Sequence, residues 1–145
     1  MHVVDEAGLC WEFELTATKT LMQILLVGAG GFVGSALRYM VSGLVHRVIP
    51  FAGFPYGTLV VNLVGCLAIG LLAGLAESRQ VIGPELRVFL FLGLLGGFTT
   101  FSTFAYEGVE LFRDGEFAKV LASVMIHVLV GFMAVWFGHA ITSVR

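Results

Sequence analysis

Charge is what this sequence has least of: Asp, Glu, Lys and Arg make up 12% of its 145 residues, while 58% are hydrophobic and the mean hydropathy is +0.96. A soluble domain carries about 25% charged residues, so a water-facing exterior is excluded and an integral membrane protein is expected. The length leaves room for one membrane bundle and no added catalytic domain. A formal net charge of −2 provides no basic field to displace counterions from phosphates, which excludes a nucleic-acid partner. Two cysteines, Cys10 and Cys66, are too few for a disulfide framework. Cys66, in an apolar run, reads as a small buried hydrophobe. The histidines are scattered at positions 2, 46, 127 and 139. With no metal-ligand spacing, no nucleophile beside a base and no phosphate-cradling loop, an enzyme is not expected.

One segment invites a soluble reading. Ile24 to Gly34, ILLVGAGGFVG, begins as a dinucleotide-binding turn begins. Gly28, Gly30 and Gly34 miss the last spacing by one, however, and no Asp or Glu stands between Glu14 and Glu77 to hold a ribose.

A bilayer core needs about 20 apolar residues per helix. Residues 21–45, 57–76, 88–106 and 120–141 meet or approach that length, which predicts an all-α protein of four transmembrane helices. The connections hold Pro50, Gly53 and Pro55, then Gly83 and Pro84, then Arg113 to Glu116, all residues that end helices and mark turns. Residues 1–20 carry Asp5, Glu6, Glu12 and Glu14 and lack the basic start of a signal peptide; they read as a mobile or interfacial acidic tail, with Met22 as an alternative start.

With four spans both termini share a side. Lys19, Arg79, Arg87 and Arg145 fall on the terminal face, and Arg38, Arg47, Arg113 and Lys119 on the other, four against four. Because positive charge sets orientation, a tie gives insertion no instruction, and an antiparallel, dual-topology homodimer is expected. Nineteen glycines serve helices that must approach closely in lipid. Gly30 and Gly34, Gly70 and Gly74, and Gly93 and Gly97 each have the small-xxx-small spacing.

Polar groups within the spans are the functional candidates. Asn62 lies mid-span, where its amide must face protein or water. In Gly96-Gly97-Phe98-Thr99-Thr100-Phe101-Ser102-Thr103-Phe104 two glycines and four hydroxyl residues are expected to break the third helix and free backbone carbonyls, an ion-site device. Phe101 and Phe104 share a helix face, and their positive ring edges can meet a small anion. Ser102 and Thr103 lie beside them. Arg38 can snorkel or attract anions into a vestibule. Ser123 and His127, four apart, form one hydrogen-bonding stripe, with a neutral His127 bonded to a neighbour favoured over a titrating one. Glu107 and Glu110 are assigned to the solvated mouth of the third span. The spans as drawn hold no acidic residue, which disfavours a cation pathway and points to a small anion.

The motifs GAGGFVGSALRY at Gly28 to Tyr39, GTLVVNLVG at Gly57 to Gly65 and GGFTTFSTFAYE at Gly96 to Glu107 resemble those of the Fluc (CrcB-type) fluoride channels of microbial membranes, in order and spacing. The resemblance runs from about residue 22 onward and covers three of the four spans. It implies a passive fluoride channel of the cytoplasmic (inner) membrane that protects the cell from fluoride, built as an antiparallel homodimer with two pores. It further implies a structural sodium ion at the dimer centre held by the backbone carbonyls of Gly96 and Thr99. Phe101 and Phe104 would match the family's paired phenylalanines, Asn62 its pore-facing asparagine, Ser102 and Thr103 nearby polar ligands, and Arg38 the arginine of its first helix. The acidic tail is outside the family pattern. Along the fourth span the family commonly places Tyr or Ser where Ser123 and His127 stand here. A small multidrug transporter would need a membrane carboxylate, and a purely structural subunit would leave the hydroxyl-rich break without a purpose.

Overall fold

The computed structural model describes residues 6–50, 53–79 and 82–143, and over these the chain is helical apart from short connections. Helix α1 runs Glu6–Val48 and α2 runs Tyr56–Arg79. Helix α3 covers residues 84–98 as one α turn (Pro84–Arg87), a π-wound stretch (Val88–Leu95) and a final α turn (Gly96–Phe98). Helix α4 is Phe101–Arg113, and α5 is Phe117–Ser143 with a π-wound stretch at Ile126–Val130. Among the described residues, four segments are long and apolar enough to cross a membrane: Thr18–Val48, Tyr56–Ser78, Pro84–Arg113 (α3 and α4 together) and Phe117–Ser143.

Each expected span lies inside one of these, and two boundaries differ in informative ways. The acidic segment expected as a tail is helical from Glu6 and continuous with the first span. At 1.5 Å per residue the 43 residues of α1 reach roughly 65 Å, about twice a bilayer's hydrocarbon thickness. The third span extends past Tyr106 to Arg113, which draws Glu107 and Glu110 into it. Residues 1–5 of the acidic segment and Arg145 of the charge count lie outside the described residues.

Two seams hold the bundle together. Along the first, α1 and α3 run parallel, with Gly30 against Gly93, Gly31 against Gly97, and Gly34 against Leu94 and Phe98. Along the second, α2 and α5 run parallel, with Gly70 against Val135, Gly74 against His139 and Thr142, and Gly138 against Leu67 and Leu71. Ser78 Oγ extends the second seam by donating to the Thr142 carbonyl at 2.9 Å, and His139 Nε2 meets Glu77 Oε2 at 2.9 Å. Odd spans parallel to odd and even to even is what four alternating crossings require. Every small-xxx-small pair read from the sequence lies on a seam, because hydrophobic attraction is absent between helices in lipid and backbone contact takes its place.

The interior is thin. Val61 and Ser123 are the largest fully buried side chains among the described residues, and many large apolar side chains, Phe32, Tyr39 and Trp136 among them, stand on the outside. That inside-out distribution suits lipid or another apolar surface as the surrounding medium. Gly115, at φ +77°, supplies the left-handed residue of the turn between α4 and α5.

A Cβ built at Gly30 would lie 2.6 Å from the Phe89 carbonyl oxygen, whereas one at Gly28 meets nothing within 4 Å. Gly30→Ala is therefore expected to destabilise the detergent-solubilised protein by about 1–3 kcal/mol, and Gly28→Ala to leave the thermal midpoint unchanged. Equal midpoints for the two variants would refute the seam.

Candidate functional site

The site is built around an interruption of the third span. It does not fall at the glycines: Gly96 keeps helical angles (φ −62°, ψ −38°), and the chain leaves the helix at Thr99 (φ −80°, ψ 160°) and Thr100 (φ −151°, ψ 113°). Of the run expected to break the helix, Thr99 and Thr100 open it and the two glycines do not. Gly97 serves close approach, since a Cβ there would sit 2.6 Å from the Gly31 carbonyl. Threonine can end one helix and start the next because its hydroxyl replaces lost backbone partners. Thr99 Oγ1 donates back to Leu95 O at 3.0 Å, and Thr100 Oγ1 accepts the Thr103 N–H at 3.2 Å as the N-cap of α4.

Asn62 secures the interruption from α2. The Thr100 N–H donates to Asn62 Oδ1 at 2.8 Å, and Asn62 Nδ2 donates to Thr100 O at 3.1 Å, so one amide holds both polar groups of one residue. In an unbroken helix the Thr100 N–H would serve the Gly96 carbonyl, and the Thr103 N–H the Thr99 carbonyl. Both donors are turned elsewhere, which releases the two carbonyls that the resemblance assigns to an ion. Of these, Thr99 O receives Arg38 Nη1 at 3.3 Å, and nearby Gly97 O receives Ser35 Oγ at 3.5 Å. Arg38 thus points across the α1–α3 seam to the break instead of toward the end of its span.

An open cleft of about 380 Å³ lies beside the break, lined by Asn62, Cys66, Thr99, Thr100, Phe101, Phe104 and His127 among others. The rings of Phe101 and Phe104 are 5.7 Å apart, and those of Phe104 and His127 are 4.3 Å apart. Phe101 is 79% exposed, so in a single chain its ring has one bare side. His127 Nδ1 lies 2.8 Å from Ser123 O. A carbonyl only accepts, so Nδ1 carries a proton, and in the neutral ring Nε2 is an acceptor; that atom is buried with no partner among the described residues. Ser123 is 2% exposed and lies behind His127, with Oγ 3.5 Å from Nδ1, and does not line the cleft. Ser102 and Thr103 are exposed on α4 and join the site through the Thr100 hydroxyl, at 3.3 and 2.9 Å. Cys66 is part-exposed on the cleft and not a fully buried core residue.

Sequence reading missed the role of Thr58, Thr100 and Glu107. Thr58 Oγ1 donates to Glu107 Oε1 at 2.8 Å, while Glu107 Oε2 is buried without a partner among the described residues. The spacing carried a signal: Thr58 is one turn before Asn62 on α2, and Phe101, Phe104 and Glu107 recur every third residue on α4. The acid-free third span was thus an artefact of ending it at Tyr106.

The description "CrcB-like protein, Camphor Resistance (CrcB)" belongs to a family whose profile matches residues 25–139. This chain belongs to the CrcB family. Among its CrcB relatives is a protein of Methylobacillus flagellatus named "Fluoride-specific ion channel FluC", 46% identical over 81% of this chain and 92% of the relative. Proteins of the same name from Chlorobium phaeobacteroides strain BS1 (46% identity; 79% and 88% coverage) and, as "FluC 1", from Methanosarcina acetivorans (44%; 79% and 86%) are also similar. The CrcB match spans the break, the cleft and the α1–α3 seam, and the α2–α5 seam as far as His139.

Replacing Asn62 by Leu would leave the Thr100 N–H and C=O without partners, at a cost of about 1–3 kcal/mol. Thr100→Val, which loses the cap, is expected to cost roughly 1 kcal/mol. Thermal unfolding in detergent measures both, and an Asn62→Leu variant as stable as wild type would show that the clamp is not needed.

Proposed function

We infer that this CrcB-family chain is a passive, fluoride-specific channel, a multi-pass membrane protein that carries fluoride out across the cytoplasmic membrane and protects the cell from it. The observation that carries this beyond the relatives' names is the cleft: rings, hydroxyls and an amide converge beside a broken helix, with no Lys or Arg among its described lining residues. Fluoride is small and strongly hydrated, and a wall of donors and positive ring edges can replace part of its water without binding it too tightly to leave. Asn62 has two amide hydrogens, and Thr100 takes one. The other, with Phe101 and Phe104, would form the first contacts; Ser102, Thr103, Ser123 and His127 would line or support the rest of the pore, and Arg38 would draw anions toward its vestibule.

The working unit is an antiparallel, dual-topology homodimer with two pores. Two features support it: the four-against-four distribution of Lys and Arg, and the bare Phe101 ring beside an open cleft, which a second chain would close. A structural sodium ion at the dimer centre fits the residues present, because carbonyl oxygens deprived of their helical donors suit a hard monovalent cation. Gly96 and Thr99 would hold it, and it would supply positive charge at the break and a joint between the two copies.

Purified protein in liposomes is expected to release fluoride and retain chloride; vesicles that hold fluoride back would overturn the channel. Phe101→Ile should reduce fluoride flux by at least roughly tenfold while the dimer stays assembled, and normal flux would remove the ring from the pathway. His127 lines the cleft with its ring 4.3 Å from that of Phe104, so His127→Ala is expected to change fluoride flux from the same liposomes. Wild-type flux from that variant would take His127 out of the pore.

A further inference from the structure

Arg38 is the one charged residue of its span between Lys19 and Arg47, and the α1–α3 seam sets it level with the break. A permanent cation at that depth requires a partner. The ion pairs among the described residues are Lys119 with Glu116 and His139 with Glu77, so Arg38 has no carboxylate there. Its contact is with a neutral oxygen, Thr99 O, at 3.3 Å. That carbonyl has lost the Thr103 N–H to the Thr100 hydroxyl, and without Arg38 it would stand at membrane depth with neither a helical donor nor water. The arginine and the proposed sodium ion are therefore directed at the same atom.

We propose that Arg38 is a tethered cation of the helix break: its guanidinium occupies the Thr99 carbonyl when no ion is bound there and competes with sodium for it. The competition rests on the sodium reading given above. Two positive charges on one oxygen repel strongly where the dielectric is low, so the chain's own arginine holds sodium affinity below what the freed carbonyls would otherwise provide. In a newly inserted, unpaired chain the same contact keeps the break satisfied until a second copy and an ion arrive.

The test is thermal unfolding of the purified dimer in detergent, titrated with sodium chloride against N-methylglucamine chloride at constant ionic strength. Wild type is expected to be stabilised by sodium, and Arg38→Gln, which removes the charge, to reach half of that stabilisation at a sodium concentration lower by roughly fivefold or more. Arg38→Lys, whose compact ammonium hydrates more readily than a planar guanidinium, is expected to shift the midpoint in the same direction by less, and decides the matter if Arg38→Gln does not fold. An unshifted midpoint in a folded variant, even with reduced fluoride flux, overturns the competition and leaves Arg38 as a vestibule charge alone. A wild type indifferent to sodium overturns the sodium reading itself, and the competition with it.

Discussion

The paired hydrogen bonds between the Asn62 amide and the backbone of Thr100 are the constraint on which the rest of the third span depends. A helix in lipid keeps its backbone bonds because nothing else will satisfy them. It can be opened only where another element supplies a donor and an acceptor together, and Asn is the shortest side chain that offers both from one planar group. Once Thr100 is held, the Thr100 hydroxyl caps the next helix, α4 starts afresh at Phe101, and the Phe104 ring is set between those of Phe101 and His127. The freed carbonyls and the aromatic cleft are two outcomes of one interaction.

Glycine packing makes that interaction reachable: Gly65 of α2 lies against Thr99 and Phe98 at the break. Asn62 is short, so α2 must lie close to the break, and Arg38 reaches Thr99 only because α1 and α3 touch backbone to backbone at Gly31 and Gly97. Larger residues along either seam would move the helices apart by more than a hydrogen bond tolerates. Close packing in this bundle is therefore inseparable from its polar chemistry: the glycines carry no donor to the site, yet they set the distances at which its donors work.

The cleft wall is polar, with no Asp, Glu, Lys or Arg among its described lining residues. Arg38 and Glu107 instead make contacts with the protein, Arg38 to the Thr99 carbonyl and Glu107 to the Thr58 hydroxyl. A bare cation in the wall would trap an anion, and a bare carboxylate would expel it. Neutral donors and ring edges sit between these extremes, which is the regime a conducting pathway needs.

Much was legible in the sequence because bilayer thickness and the expense of unpaired polar groups act locally on the chain. Four apolar runs, the paired glycines, Asn62 and the hydroxyl-rich stretch declared themselves by length, spacing and chemical type. The position of the break did not, since Gly96 and Gly97 look like the weak point, yet Gly96 keeps helical angles and Gly97 is spent on packing against α1, leaving Thr99 and Thr100 to open. Nor did the fates of Arg38 and Glu107, each placed near a span end by counting residues along one helix. What they face depends on which neighbour stands opposite, Thr99 or Thr58, and that pairing is set by α1 packing on the third span and by α2 lying beside α4. The one-dimensional order of residues thus determined what must be buried and what must be satisfied; the packing of helices decided who satisfies whom, because a hydrogen bond is made across a distance of about 3 Å that no sequence separation measures.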